Sequence, residues 1–243
     1  MIVSGGLRDK KILDLGAGNG YLSMKLGNAM KNGGLDVKQA LRAADIHPEN
    51  FKYAEIKCEY GDFAGRLPFE DGYFDIVCFV EVIEHLEDQF GCIREIHRIL
   101  KPGGTVYVTT PNVLNINSRI RYFMSGLFNQ FNLLLHKGMP SVIDWSGHIH
   151  PISYVFLSNI LKRGGFGDLT PNRDRSKRSA IAYAALLYPL IRIWGYFVFW
   201  RMRRSYPEIF AGNEDIVSNV NSFSMLTGRT LILSARKGLN SHS

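Results

Sequence analysis

The sequence predicts an α/β fold, doubly wound around a mostly parallel sheet. Three observations carry this. Residues 10–110 alternate short apolar runs with helical patterns. The first run, "KILDL", passes directly into the glycine-rich turn "GAGNG". A helical pattern, "FGCIREIHRIL", is followed by "KPGG" and then the β-branched run "TVYVTT".

Each element follows from its own residues. "KILDL" is continuous and apolar, as a strand buried on both faces requires. "YLSMKLGNAM" reads as a short helix behind the turn, and "QALRAAD" as a second strand ending in an acid. "YFDIVCFV" is β-branched and aromatic, and too short for a good isolated helix. In "FGCIREIHRIL" the apolar positions Cys92, Ile93, Ile96, Ile99 and Leu100 have helical spacing, with "KPGG" as the stop. Further on, "INSRIRYFMSGLF" reads as a helix and "SYVFLSNILKRGGF" as an amphipathic helix closed by glycines. A sixth strand is expected near "FGDLTP" and the last at "GRTLILSARK".

Bulk properties narrow the class. The 243 residues fit one domain with insertions, or one and a half domains, and the composition is globular. Cys58, Cys78 and Cys92 lack paired metal spacing and read as reduced core thiols. The start "MIVSGGLRDKK" has no long apolar core, so no secretory signal is expected and the expected location is cytoplasmic. The net charge of +7 is concentrated around one apolar stretch: Arg173, Arg175, Lys177 and Arg178 precede it, and Arg201, Arg203 and Arg204 follow it. Charge bracketing an apolar segment points to an anionic membrane surface before nucleic acid.

The glycine turn selects its ligand. In "LDLGAGNGYL" the glycines are Gly16, Gly18 and Gly20, whereas a dinucleotide fingerprint places its third glycine where Tyr21 stands. No Gly-Lys-Ser/Thr follows, which excludes a P-loop. Asp14 precedes the first glycine, where a carboxylate repels a pyrophosphate and favours an ammonium group. Asp45 ends the second strand, suited to a ribose diol. Asp62 follows the third strand and suits an adenine amino group, with Phe63 available to the ring. Each feature taken singly also has a purely structural reading, the glycines as turn geometry and Asp45 as a helix cap.

Taken together, "LDLGAGNGYL", "ADIHPENF", "GDF", "LPFEDGYFDIVCFVEVIEHL" and "REIHRILKPGGTVYVTTPN" resemble the class I S-adenosylmethionine-dependent methyltransferases over residues 10–112. The resemblance implies the Rossmann-like methyltransferase fold, a seven-stranded sheet with one antiparallel strand. It implies that Asp14, Gly16, Ala17 and Gly18 line the methionine end of S-adenosylmethionine. Asp45 and Ile46 would meet the ribose, Asp62 and Phe63 the adenine, and Glu81 the neighbourhood of the sulfonium. The family carries a helix or more ahead of strand one as a cover for the pocket. Strand one here begins near residue 11, and residues 111–150 are expected to serve as the lid.

Hydroxyl methylation benefits from a base or a metal that takes the acceptor proton. "EVIEHLED" places Glu81, Glu84 and His85 one turn apart if helical, and resembles the E-x-x-E-H of ubiquinone-pathway O-methyltransferases, which implies a divalent metal there. The bland alternative makes Glu84 and Glu87 solvated helix acids and His85 a packing residue; metal binding is not favoured. "WSGHIHPISY" offers His148 and His150, with Ser153 the better helix cap and His150 free to act as base. The catalytic candidates are therefore His150, His85 and Glu81.

"SAIAYAALLYPLIRIWGYFVFWRMRR" approaches the length of a membrane span, but Pro189, Arg192 and Gly195 interrupt it and both flanks are basic. A broken helix lying in the cytoplasmic leaflet is expected, with a buried helix pair or a homodimer interface as the rival. The resulting division is a catalytic core over 1–178, an apolar insertion over 179–222, and the final strand and tail over 223–243. The expected activity is O-methylation of a glycan, a lipid-linked sugar or another amphiphilic acceptor such as a prenylated quinone. The alternatives are a nucleic-acid or small-molecule methyltransferase, or a non-catalytic module retaining the cofactor fold. "EVIEH" stands where base N-methylating enzymes carry N/D-P-P-Y/F, which argues against nucleic acid.

Overall fold

The computed structural model describes residues 6–133, 147–172 and 174–239. Seven strands form one sheet in the order β3-β2-β1-β4-β5-β7-β6. They are β1 (Ile12–Leu15), β2 (Leu41–Asp45), β3 (Cys58–Tyr60), β4 (Phe74–Val80), β5 (Leu100–Pro111), β6 (Phe166–Asn172) and β7 (Thr230–Lys237). The pairs β1–β2, β1–β4, β2–β3 and β4–β5 are all parallel. All four residues of β1 are buried, which is why its sequence is apolar without alternation. The chain order turns back at β1, with β2 on one side and β4 on the other, so the ends of these strands form the switch point where doubly wound sheets bind ligands.

The chain divides into two compact units. The first comprises Met1–Thr109, Ile160–Thr170 and Leu233–Ser243. Its helices include α1 (Tyr21–Asn32), α2 (Val37–Ala40) and α3 (Gln89–Ile99). Ile12, Leu26, Met30, Leu41 and Cys78 form a core between α1 and the sheet. Cys58, Cys78 and Cys92 are buried free thiols, as their apolar context predicts. Burial pushes the Cys58 and Cys92 thiols up to about 12, so they stay protonated.

The second unit comprises Thr110–Asn159 and Pro171–Ile232. It holds α4 (Ile116–Ser125), α6 (Arg178–Ser205), α7 (Pro207–Ala211), α8 (Glu214–Val220) and α9 (Phe223–Thr227), and α5 (Tyr154–Arg163) begins in it. Ile116, Ala180, Ala184 and Leu226 make its small core. Asn112 and Asn115 tie the chain together here, both donating to the Gly228 carbonyl, at 3.0 and 2.8 Å.

Several local expectations are corrected. "QALRAAD" is not one strand: Gln39 and Ala40 close the short helix α2, which Asp36 caps by accepting from the Lys38 N–H, and the strand begins at Leu41. "KPGG" ends α3 but lies within β5, in register beside β4 through an irregularity between Phe74 and Ile76. The apolar segment is not broken. It is one 28-residue helix that runs through Pro189 and Gly195. An interior proline removes one N–H and crowds the carbonyl four residues before it; packing of Ala184, Leu187, Tyr188 and Ile191 on Ile116 and Leu226 holds the helix through that cost.

Candidate active site

The glycine turn is held by its own strands. The Gly16 and Ala17 N–H groups both donate to the Ala44 carbonyl at the end of β2, at 2.8 and 3.1 Å. The Gly18 N–H donates to the Asp45 carboxylate at 2.8 Å. The second Asp45 oxygen accepts from the His47 N–H, also at 2.8 Å. These donors are therefore turned into the protein, unlike the outward amides of a phosphate cradle. Gly16 has φ +76, and a Cβ on it would collide with the Val82 side chain, so only glycine lets the turn approach the end of β4. Gly18, at φ +52, has open space where its Cβ would be. Gly20 lies against the Phe51 ring from the segment after β2.

Two carboxylates flank this turn. Asp14 is buried and accepts from the Ser23 hydroxyl on α1 at 2.7 Å. Burial drives its carboxyl up to about 6; the Ser23 hydrogen bonds oppose that rise and the Asp45 charge adds to it. Asp45 is also buried. It accepts from two backbone N–H groups, and a carboxylate has capacity for further donors. Ile46 beside it is exposed. Asp62 is exposed and accepts from the Ala64 N–H at 2.9 Å. Phe63 is buried and meets Phe79 edge to face, with centroids 6.1 Å apart.

Beyond β4 the backbone turns sharply. Glu81 has φ +55, a conformation costly for any side chain but glycine. Thr109 holds it there. The Glu81 N–H donates to both the Thr109 carbonyl and its hydroxyl, each at 3.1 Å. That hydroxyl donates in turn to the Glu81 carboxylate at 2.9 Å. Ile83–His85 is a single 3-10 turn. "EVIEH" is therefore not one helical face: Glu81 is exposed, whereas Glu84 is 0 % exposed and is not the solvated acid of the bland alternative.

The other two histidine candidates, His148 and His150, belong to the second unit. His148 shares a 3.0 Å hydrogen bond with the Gln130 carbonyl, packs beside Phe131, and is held below the usual imidazole range by burial. His150 is half-buried, and its Nδ1 is buried with no hydrogen-bond partner among the described residues. Ser153 caps α5 by accepting from the Phe156 N–H at 3.2 Å, so the cap does not use His150. Much of the expected lid, residues 134–146, lies outside the described residues.

Asp14, Gly16, Ala17, Gly18, Asp45, Ile46, Asp62, Phe63, Glu81 and His85 all belong to the first unit, while His148 and His150 lie in the second. Sequence reasoning missed Ser23, Val82 and Thr109. A serine one turn into the helix behind a glycine loop was the available signal for Ser23. Thr109 gave none, because its partner is set by the β4–β5 register.

This geometry defines a class, and comparison with known proteins agrees. Residues 7–147 match a methyltransferase domain family, and the chain belongs to it. It is 37% identical over 113 residues to a ubiquinone biosynthesis O-methyltransferase of Pseudomonas aeruginosa, covering 44% of this chain and 47% of that protein. A counterpart from Ralstonia nicotianae is 34% identical over 108 residues, covering 43% and 44%. The chain therefore matches about half the length of these curated relatives. Among solved structures, a SAM-dependent methyltransferase from Archaeoglobus fulgidus superposes with a TM-score of 0.56 at 17% identity, covering 97% of this chain and 90% of that one. One from Mesorhizobium loti gives 0.54 at 16% identity, covering 97% and 96%. At such identities the likeness establishes the fold.

Proposed function

We propose that this protein is an S-adenosylmethionine-dependent O-methyltransferase whose acceptor is amphiphilic, a glycan, a lipid-linked sugar or a related molecule. One observation carries the cofactor reading. The glycine turn directs the N–H groups of Gly16, Ala17 and Gly18 inward, and buried carboxylates flank it. Such a site repels phosphates and accepts an ammonium and a diol. When bound, the cofactor supplies an electrophilic methyl on a sulfonium. Asp14 pairs with its ammonium, Asp45 accepts from its ribose hydroxyls, and Asp62 and Phe63 hold the adenine end. Glu81 fixes the methyl-bearing end. Much of the rate then comes from placement.

The curated relatives are named as O-methyltransferases, which supports oxygen as the acceptor atom. His150 or His85 takes the hydroxyl proton as it is methylated; the buried, unbonded Nδ1 of His150 supports the first. Turnover is tested by S-adenosylhomocysteine release against extracted lipid-linked glycans, quinones and small phenols. Release with none of them, by a protein that binds S-adenosylmethionine, would sink the acceptor reading. Failure to bind S-adenosylmethionine would sink the cofactor reading.

A further inference from the structure

Helix α6 has two unlike sides. Ala180, Ala184, Leu187, Tyr188 and Ile191 pack along one side on Ile116, Ile120 and Leu226. The opposite side carries Tyr183, Leu186, Leu190, Ile193 and Phe197 at spacings of three and four, all exposed, and Arg201 and Arg204 continue the stripe. The most apolar 18-residue window has a mean hydropathy of 1.4, yet only 6% of it is buried. The helix contains five arginines and no acid.

Where the packed seam runs on toward the C-terminus, it opens into a groove of about 300 Å³ among α6, α7 and α8. Arg192 and Arg203 stand at its two ends, with Tyr196, Trp200, Phe210 and Asn221 between them. Behind Asn221, the Arg119 guanidinium donates to its side-chain oxygen at 3.0 Å and to the Val220 carbonyl at 3.2 Å. Among the described residues no carboxylate lies within ion-pair distance of Arg119, Arg192 or Arg203. Glu208, Glu214 and Asp215, the acids of α7 and α8, do not line the groove.

We propose that α6 docks the second unit on an anionic phospholipid bilayer, its exposed stripe in the acyl boundary and its arginines, Arg201 and Arg204 along the stripe and Arg192 and Arg203 beside it, reaching phosphates at headgroup depth. Charge complementarity decides for this occupant. An acid-free apolar helix with arginines beside and beyond its stripe matches a negatively charged lipid surface. Trp194, Tyr196 and Trp200, all exposed, are the residue types that settle at headgroup depth. The helix lies in the plane of the interface, because Ala180 and Ala184 bind it sideways to the unit's own core. This surface is independent of the catalytic reading.

The test is flotation of the full chain with vesicles of phosphatidylcholine alone or mixed with phosphatidylglycerol. Binding to the anionic vesicles only is expected, with quenching of tryptophan fluorescence by brominated lipid. Leu190→Glu with Ile193→Glu, both exposed, should reduce partitioning roughly tenfold or more, and Arg192→Gln with Arg203→Gln by a similar factor. Melting temperatures matching the parent establish that the variants fold. Absence of flotation and quenching for the parent protein overturns the proposal on its own. Equal flotation of parent and folded variants also overturns it. So does inorganic phosphate binding that leaves vesicles ignored, or a dimer in sedimentation that the stripe variant dissolves while vesicles go unbound.

Discussion

The Ser23 hydroxyl donates to the Asp14 carboxylate at 2.7 Å, and both side chains are buried where β1 meets α1. The bond places a carboxylate at the glycine turn and opposes, without cancelling, the cost of burying its charge.

Asp14 carries a burial cost, and on the proposed function its carboxylate is kept for the cofactor's ammonium. Its folded value of about 6 lies above the ordinary 3.8, so the folded state holds the proton more tightly. Stability from this group is present below about pH 4 and is lost as pH rises through about 6. Asp14→Asn should raise the melting temperature at neutral pH, by a gain of at most about 3 kcal/mol. It should also weaken S-adenosylmethionine binding tenfold or more in calorimetry. Parent affinity should fall below about pH 6, as protonation removes the ammonium's partner. Ser23→Ala should move that midpoint upward.

Gly16 tests the approach of the turn to β4. Gly16→Ala combines a positive φ with a clash against Val82 and should cost about 1–3 kcal/mol in denaturant unfolding. Adding Val82→Ala should recover the steric part and leave the backbone part. Full recovery would mean that the φ carries no cost.

Glu81 and Thr109 are a strained pair. Glu81→Gly relieves φ +55 and should stabilise the protein by about 1 kcal/mol, while turnover drops. Thr109→Val removes the hydroxyl that holds the carboxylate and should lower kcat while leaving the cofactor Kd within a few-fold. Unchanged kcat in both would remove Glu81 from the reaction.

The histidines separate by turnover. Loss of the true base, His150→Ala or His85→Ala, should lower kcat by about 10²-fold or more with cofactor affinity intact. A base role also requires the low-pH limb of the kcat profile to move in the Gln variant. A variant that changes neither quantity is a packing residue.

Much of this site was legible before folding because its signals are local. A buried strand, a turn that needs positive φ, and acids at strand ends are written in contiguous residues such as "LDLGAGNG" and "AAD". The missing third dinucleotide glycine at Tyr21 and the acid at Asp14 were enough to turn the reading from phosphate to ammonium. The continuity of α6 was not legible, because proline and glycine propensities argue for a break and the packing that overrides them comes from distant Ile116 and Leu226.

By itself, then, the sequence determined the strand order's raw material, the turn and the chemical type of its ligand, since hydrophobic period and backbone permissiveness act over a few residues. Only the tertiary structure decided which way the Gly16, Ala17 and Gly18 amides point, that Glu84 is buried while Glu81 is exposed, and that Thr109 holds Glu81 in a strained turn. These depend on register between strands far apart in the chain, and no local propensity encodes which residue a neighbouring strand will place opposite.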